Sequence, residues 1–223
     1  MIRRLSIGLG YSALTLLLAS RSSAQATGTP IRNATIPTGI TLGVDFGFGK
    51  ARESDAGSTS VGAVATAGLG PIAGQLGITR SDVEEVGAGT AVFAAAELTV
   101  FGGPLVPLKV AWQAGLTRWL DRPGPIEADP TRSRAWRGWL GAGASLSIPA
   151  ALLSIKPWLA PRLEYFGRQP VDGVRLKPAL SGGVDLGLLN GLGLRVAYDS
   201  RLGWTDGRDH ATGVSIGASY TFR

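Results

Sequence analysis

The chain has no cysteine, one histidine and one methionine in 223 residues. Without cysteine there is no disulfide framework and no thiol chemistry. One histidine and no cysteine leave too few ligands for a zinc cluster. Long apolar runs are lacking too. Beyond the first 26 residues, glycine or a charge interrupts every run short of the roughly 20 residues that a spanning helix needs. No clustered basic stripe of the kind that tracks nucleic acid is present. Glycine-rich stretches such as Gly68-Leu69-Gly70 lack the following Lys-Ser/Thr of a phosphate loop.

The N-terminus joins Arg3 and Arg4 to an apolar stretch from Leu5 to Ala19, with Ala24 and Ala26 in a small-x-small arrangement. This predicts an export signal cleaved after Ala26, with Ala24 as second choice. The stretch is too short, and too diluted by Gly8, Gly10 and Ser12, for a membrane anchor. Residues 1–26 hold Arg3, Arg4 and Arg21 and no acid. Their removal takes the basic count from 22 to 19 against 16 acids, and the net charge from +6 to about +3. The pI of 10.2 therefore belongs partly to the removed segment.

A polar leader, 27–38, precedes segments that alternate between apolar and small or polar residues. The last places Val214, Ile216, Ala218, Tyr220 and Phe222 on one face of a strand, and Gly213, Ser215, Gly217, Ser219 and Thr221 on the other. About ten segments follow this pattern, near 39–50, 59–69, 72–81, 87–100, 106–119, 135–148, 153–166, 175–188, 192–204 and 211–222. Each has the roughly 9–11 residues of a tilted span. Connections after the second, fourth, sixth and eighth segments are tight, whereas Leu120 to Arg134 and Thr205 to His210 are long and polar. This sorting predicts an all-β fold over 39–223: a closed antiparallel up-and-down transmembrane β-barrel with short periplasmic turns and long outer loops. A mean hydropathy of +0.18 fits a wall whose two faces average out.

The composition of the weaker face separates this from a soluble barrel, whose exterior is dense in Lys and Glu. Here that face is Gly87, Gly89, Ala91 and Ala95 on one segment, and Gly141, Gly143, Ser145 and Ser147 on another. The opposite face is nearly free of charge, as in Leu108, Val110, Trp112, Ala114 and Leu116. Aromatic residues fall near segment ends: Trp119, Trp136, Trp139, Tyr165, Phe166 and Trp204 on the loop side, and Phe101, Trp158, Tyr220 and Phe222 on the turn side. Two interfacial girdles are expected, with Trp112 in neither.

The export signal, the alternating spans, the turn–loop asymmetry and the terminal Tyr220-Thr221-Phe222 resemble the small outer-membrane β-barrel superfamily, similar to the transmembrane domain of outer membrane protein A and its relatives. The resemblance covers 39–222 as a pattern and carries no family-specific motif. It implies an outer-membrane location and a monomer in the lipid bilayer. It also implies that the barrel-assembly machinery reads the C-terminal strand through Tyr220 and Phe222. In this chain Arg223 follows the aromatic that ends the superfamily's signal.

Parity also predicts the lumen. A three-residue hairpin at Leu189-Asn190-Gly191 sets Asp185 opposite Arg195, and a five-residue loop Phe101–Leu105 sets Glu97 opposite Lys109. Asp45, Lys156, Arg162, Glu164, Asp199 and Arg201 share the inward parity. Facing opposite charges support one another on a sheet. The expected lumen is a plug of paired charges, with a narrow ion path gated by one pair as the functional variant.

For chemistry the sequence offers His210 in Asp206-Gly207-Arg208-Asp209-His210, with Asp82, Glu84 and Glu85 as acids on another loop. The setting is similar to outer-membrane aspartyl-type proteases, and His210-Ala211-Thr212 to the His-x-Ser of lipid deacylases, with Thr replacing Ser. No matching motif accompanies them. A barrel without catalysis, cofactor or metal is therefore expected, with a membrane-integrity or narrow passive-permeation role. An outer-rim hydrolase at His210 and a soluble exported lipocalin-like carrier are the alternatives. The loop 121–134, with Arg132, Arg134 and the following Arg137, is expected to meet lipopolysaccharide phosphates or an external partner.

Overall fold

The computed structural model describes residues 39–51, 57–84, 87–102, 106–121, 136–150, 153–167, 176–188, 190–201 and 211–222. The proposed signal, the leader, His210, Glu85, Trp204, Arg132 and Arg134 lie outside the described residues. The strands are β1 (Gly39–Ala51), β2 (Gly57–Leu69), β3 (Ile72–Val83), β4 (Gly87–Phe101), β5 (Leu108–Asp121), β6 (Trp136–Leu146), β7 (Ile148–Pro149), β8 (Leu153–Phe166), β9 (Leu176–Leu188), β10 (Leu192–Arg201) and β11 (Ala211–Phe222). Sequential neighbours pair antiparallel. β1 pairs with β11, and β6 with β8, so the sheet closes on itself. β6 and β7 are one course interrupted at Ser147, since both meet β8 in the same register. The fold is a closed ten-stave antiparallel barrel.

Proline explains the interruption. β8 holds Pro157 and Pro161, and its ladder to β9 is continuous from Leu153↔Leu188 to Tyr165↔Leu176. Its ladder to the β6–β7 course lacks the steps that Pro161, Ala160, Pro157 and Lys156 would make. A proline nitrogen donates nothing, so both missing donors fall on this seam.

The turn ends are built for tightness. Leu69 faces Ile72 across Gly70-Pro71, with Gly70 at φ 60° as the first central residue of a two-residue hairpin. Gly191, at φ 89°, closes the β9–β10 turn by donating from its amide to the Leu188 carbonyl.

The two faces of the wall divide as period two requires. Leu140 is 60% exposed, Leu194 55% and Val196 54%, while Arg137, Glu164 and Lys177 are each 1% exposed. The apolar set points outward and the charges point in. A soluble barrel does the reverse, so the lipocalin-like alternative does not fit.

Candidate functional site

The inward face carries two tiers of charge. In the lower tier, register aligns Lys156, Asp185, Arg195, Gly217 and Asp45 in one row across β8, β9, β10, β11 and β1. Arg195 Nε donates to Asp185 Oδ1 at 2.9 Å, and Trp158 Nε1 donates to the same oxygen at 3.3 Å. Gly217 stands between Arg195 and Asp45, and a Cβ there would overlap the Asp45 carboxylate. The absent side chain lets the Asp45 carboxylate occupy that space in the row. The charge of Glu97, on β4 at the opposite wall, also acts on Arg195.

The upper tier lies six residues further along β10, about 20 Å toward the loops at 3.3 Å per residue. Glu164 accepts from three guanidinium groups: Arg137 at 3.2 Å, Arg162 at 2.9 Å and Arg201 at 2.9 Å. Arg162 Nη2 also donates to Asp199 at 2.7 Å, and Ser181 bonds both Arg162 and Asp199. Lys177 lies opposite Glu164 in the β8–β9 register. Rings complete the tier: Phe166 lies 5.0 Å from the Arg201 guanidinium and 5.8 Å from Lys177 Nζ, and Trp119 lies 5.8 Å from Arg137. Among its described residues, Arg137, Arg162, Lys177 and Arg201 face two carboxylates, Glu164 and Asp199. That balance is two positive charges.

Lys177 and Ser181 were absent from the sequence expectations, and Arg137 was expected at the outer loop rather than in the lumen, although parity with Gly141 and Ser145 already marked it as inward. Its 1% exposure removes it from the expected contacts with lipopolysaccharide.

Two other expectations need correction. Glu97 faces Gln113, and Lys109 faces Ser145. The β4–β5 connection runs from Gly102 to Pro107 rather than Phe101 to Leu105, and a register shift between Thr99 and Phe101 moves the ladder again. The girdle also needs correction. Trp139 and Trp158 are buried at 7% and 5%, and Trp119 lies against Arg137, so all three serve the lumen. They share parity with the inward charges, and parity outranks nearness to a strand end. Trp136 and Tyr165 do form an exposed outer pair, with ring centroids 5.6 Å apart. Tyr220 and Phe222 make an edge-on pair at 4.8 Å on the turn-side exterior.

No family model matches this sequence, and no curated protein matches it. Among solved structures, LpxR from Salmonella typhimurium shares 8% identity at a TM-score of 0.52, over 96% of each chain. The beta domain of the Bordetella autotransporter BrkA gives 15% and 0.49, over 82% of this chain and 99% of that one. The outer membrane enzyme PagL gives 12% and 0.42, over 81% and 99%. These likenesses concern the fold, which is that of outer-membrane β-barrels. They correct one sequence reading: barrels like this one include a protein described as an enzyme, so the architecture is no ground for excluding catalysis.

Proposed function

We propose that the chain is a monomeric integral outer-membrane barrel, exported by a signal removed near Ala26 and akin to the outer membrane protein A superfamily. In this reading its lumen is narrowed by the two charge tiers. Its role is membrane integrity with narrow passive permeation, biased toward anions by the cation-rich upper tier. The observation that carries the reading is the convergence of Arg137, Arg162 and Arg201 on the buried Glu164. Such a network is expensive to open, because removing one partner leaves buried charge uncompensated. A ten-stave barrel also has little free bore, whereas open channels belong to barrels of about 16 staves.

Planar-bilayer recording of the purified barrel tests this. The wild type should show small conductance with anion preference, and Arg201→Gln should reduce that preference. A large open conductance that ignores the substitution would contradict the constriction. Release of fatty acid or peptide by the purified barrel, lost in His210→Ala, would move the function from the lumen to the outer rim.

A further inference from the structure

Among the described residues, charge on the outer surface of the wall is confined to one stretch of the loop-side rim. Among the described residues, Lys50, Arg80, Asp82, Glu84 and Arg118 share the outward parity, all at the loop end and all on β1, β3 and β5 or their ends. Elsewhere on the described rim the outward positions are uncharged: aromatic or aliphatic at Trp136, Tyr165, Leu176 and Tyr198, and hydroxyl-bearing at Thr59 and Thr212.

Arg80 and Arg118 are exposed, and neither forms an ion pair among the described residues. Arg80 faces Thr90 on β4, and Arg118 faces Val92 on the same strand. The two arginines thus flank β4 on adjacent staves, about 10 Å apart laterally and about 7 Å apart along the strand. Stems of that length let both guanidinium groups close over one group between them. Depth supports the placement. The outward side chains of β5 are apolar from Leu108 to Leu116, and Arg118 comes ten residues after Leu108. At a tilt of about 40° this is about 25 Å of height, the thickness of the apolar band of such barrels. An arginine facing hydrocarbon costs about 2–4 kcal/mol at mid-depth and little at the interface.

We propose that Arg80 and Arg118 clamp a phosphate group of an outer-leaflet lipid, of the lipopolysaccharide type. The assignment rests on the outer-membrane reading above. Guanidinium groups suit it because they pair with phosphate oxygens in a planar, bidentate manner. Asp82, one outward position nearer the loops, lies on the far side of Arg80 from the hydrocarbon and repels a second anion there. The half-rim therefore takes one phosphate at the level of Thr90 and Val92, and the aromatic half meets the neutral remainder of the interface.

The test is native mass spectrometry of the full, signal-processed barrel with bisphosphorylated lipid A and with the same lipid dephosphorylated. The wild type should retain the phosphorylated form preferentially. Arg80→Gln combined with Arg118→Gln should lower that retention about tenfold, the loss of roughly one charge-assisted contact, with heat-modifiable migration unchanged. Equal retention of the two lipids, or a double variant that retains lipid like the wild type, overturns the clamp. Displacement of lipid by millimolar inorganic phosphate alone assigns the site to free phosphate and overturns the lipid assignment. A wild-type chain that neither partitions into bilayers nor shows heat-modifiable migration fails the outer-membrane reading itself, and the clamp with it.

Discussion

Asp45 and Gly217 face each other across the β1–β11 closure, and a side chain at 217 would overlap the Asp45 carboxylate. The pair ties the seam that closes the barrel to the lower charge tier, because Gly217 also faces Arg195. Closure and lumen packing are therefore one problem at this row.

Gly217→Ala should destabilise the barrel by about 1–3 kcal/mol, the cost of overpacking a filled interior. Asp45→Ala in the same chain should recover part of that loss, giving a non-additive double-mutant cycle. Urea midpoints of the folded barrel in vesicles measure both.

Glu164→Ala removes the carboxylate on which Arg137, Arg162 and Arg201 converge and leaves Arg162 its contact with Asp199. Breaking a buried pair by removing one partner costs about 3–5 kcal/mol, and here one group serves three guanidinium groups. The folded, faster-migrating band on unheated gels should fall sharply at urea concentrations that leave the wild type folded. Lys156→Ala, on the less buried lower tier, should change it much less.

The proline seam makes a separate prediction. Amides of β6 that face β8 should exchange with solvent deuterium faster than amides joining β8 to β9, whose ladder is complete. Pro161→Val restores a donor on the β6 side and should add about 1 kcal/mol. It should also slow exchange at Ala142 and Gly143.

Much of this architecture is legible along single segments. Alternation in 211–222 sets which residues face lipid, and the glycine at 191 sets the β9–β10 register that brings Asp185 to Arg195. The β4–β5 hairpin was not legible in this way, because a register shift between Thr99 and Phe101 leaves no mark in the alternation. Trp139 and Trp158 show a different limit. Their position near strand ends pointed to the interface, but their parity with Arg137 and Arg162 sends them inside. The upper tier joins β6, β8, β9 and β10, and the row through Gly217 depends on how the first strand meets the last. The first relation arises across four paired strands and the second only once the sheet closes, so no local pattern carries them.

Tryptophan fluorescence reads directly which face of the wall meets lipid. Two single-tryptophan variants, retaining either Trp112 or Trp158, are placed in bilayers of lipid brominated along the acyl chain. Trp112 is 55% exposed on the outward face and Trp158 is 5% exposed beside Asp185. Strong quenching of Trp112 with Trp158 nearly unaffected is the predicted result. Quenching of Trp158 with Trp112 shielded would contradict the account.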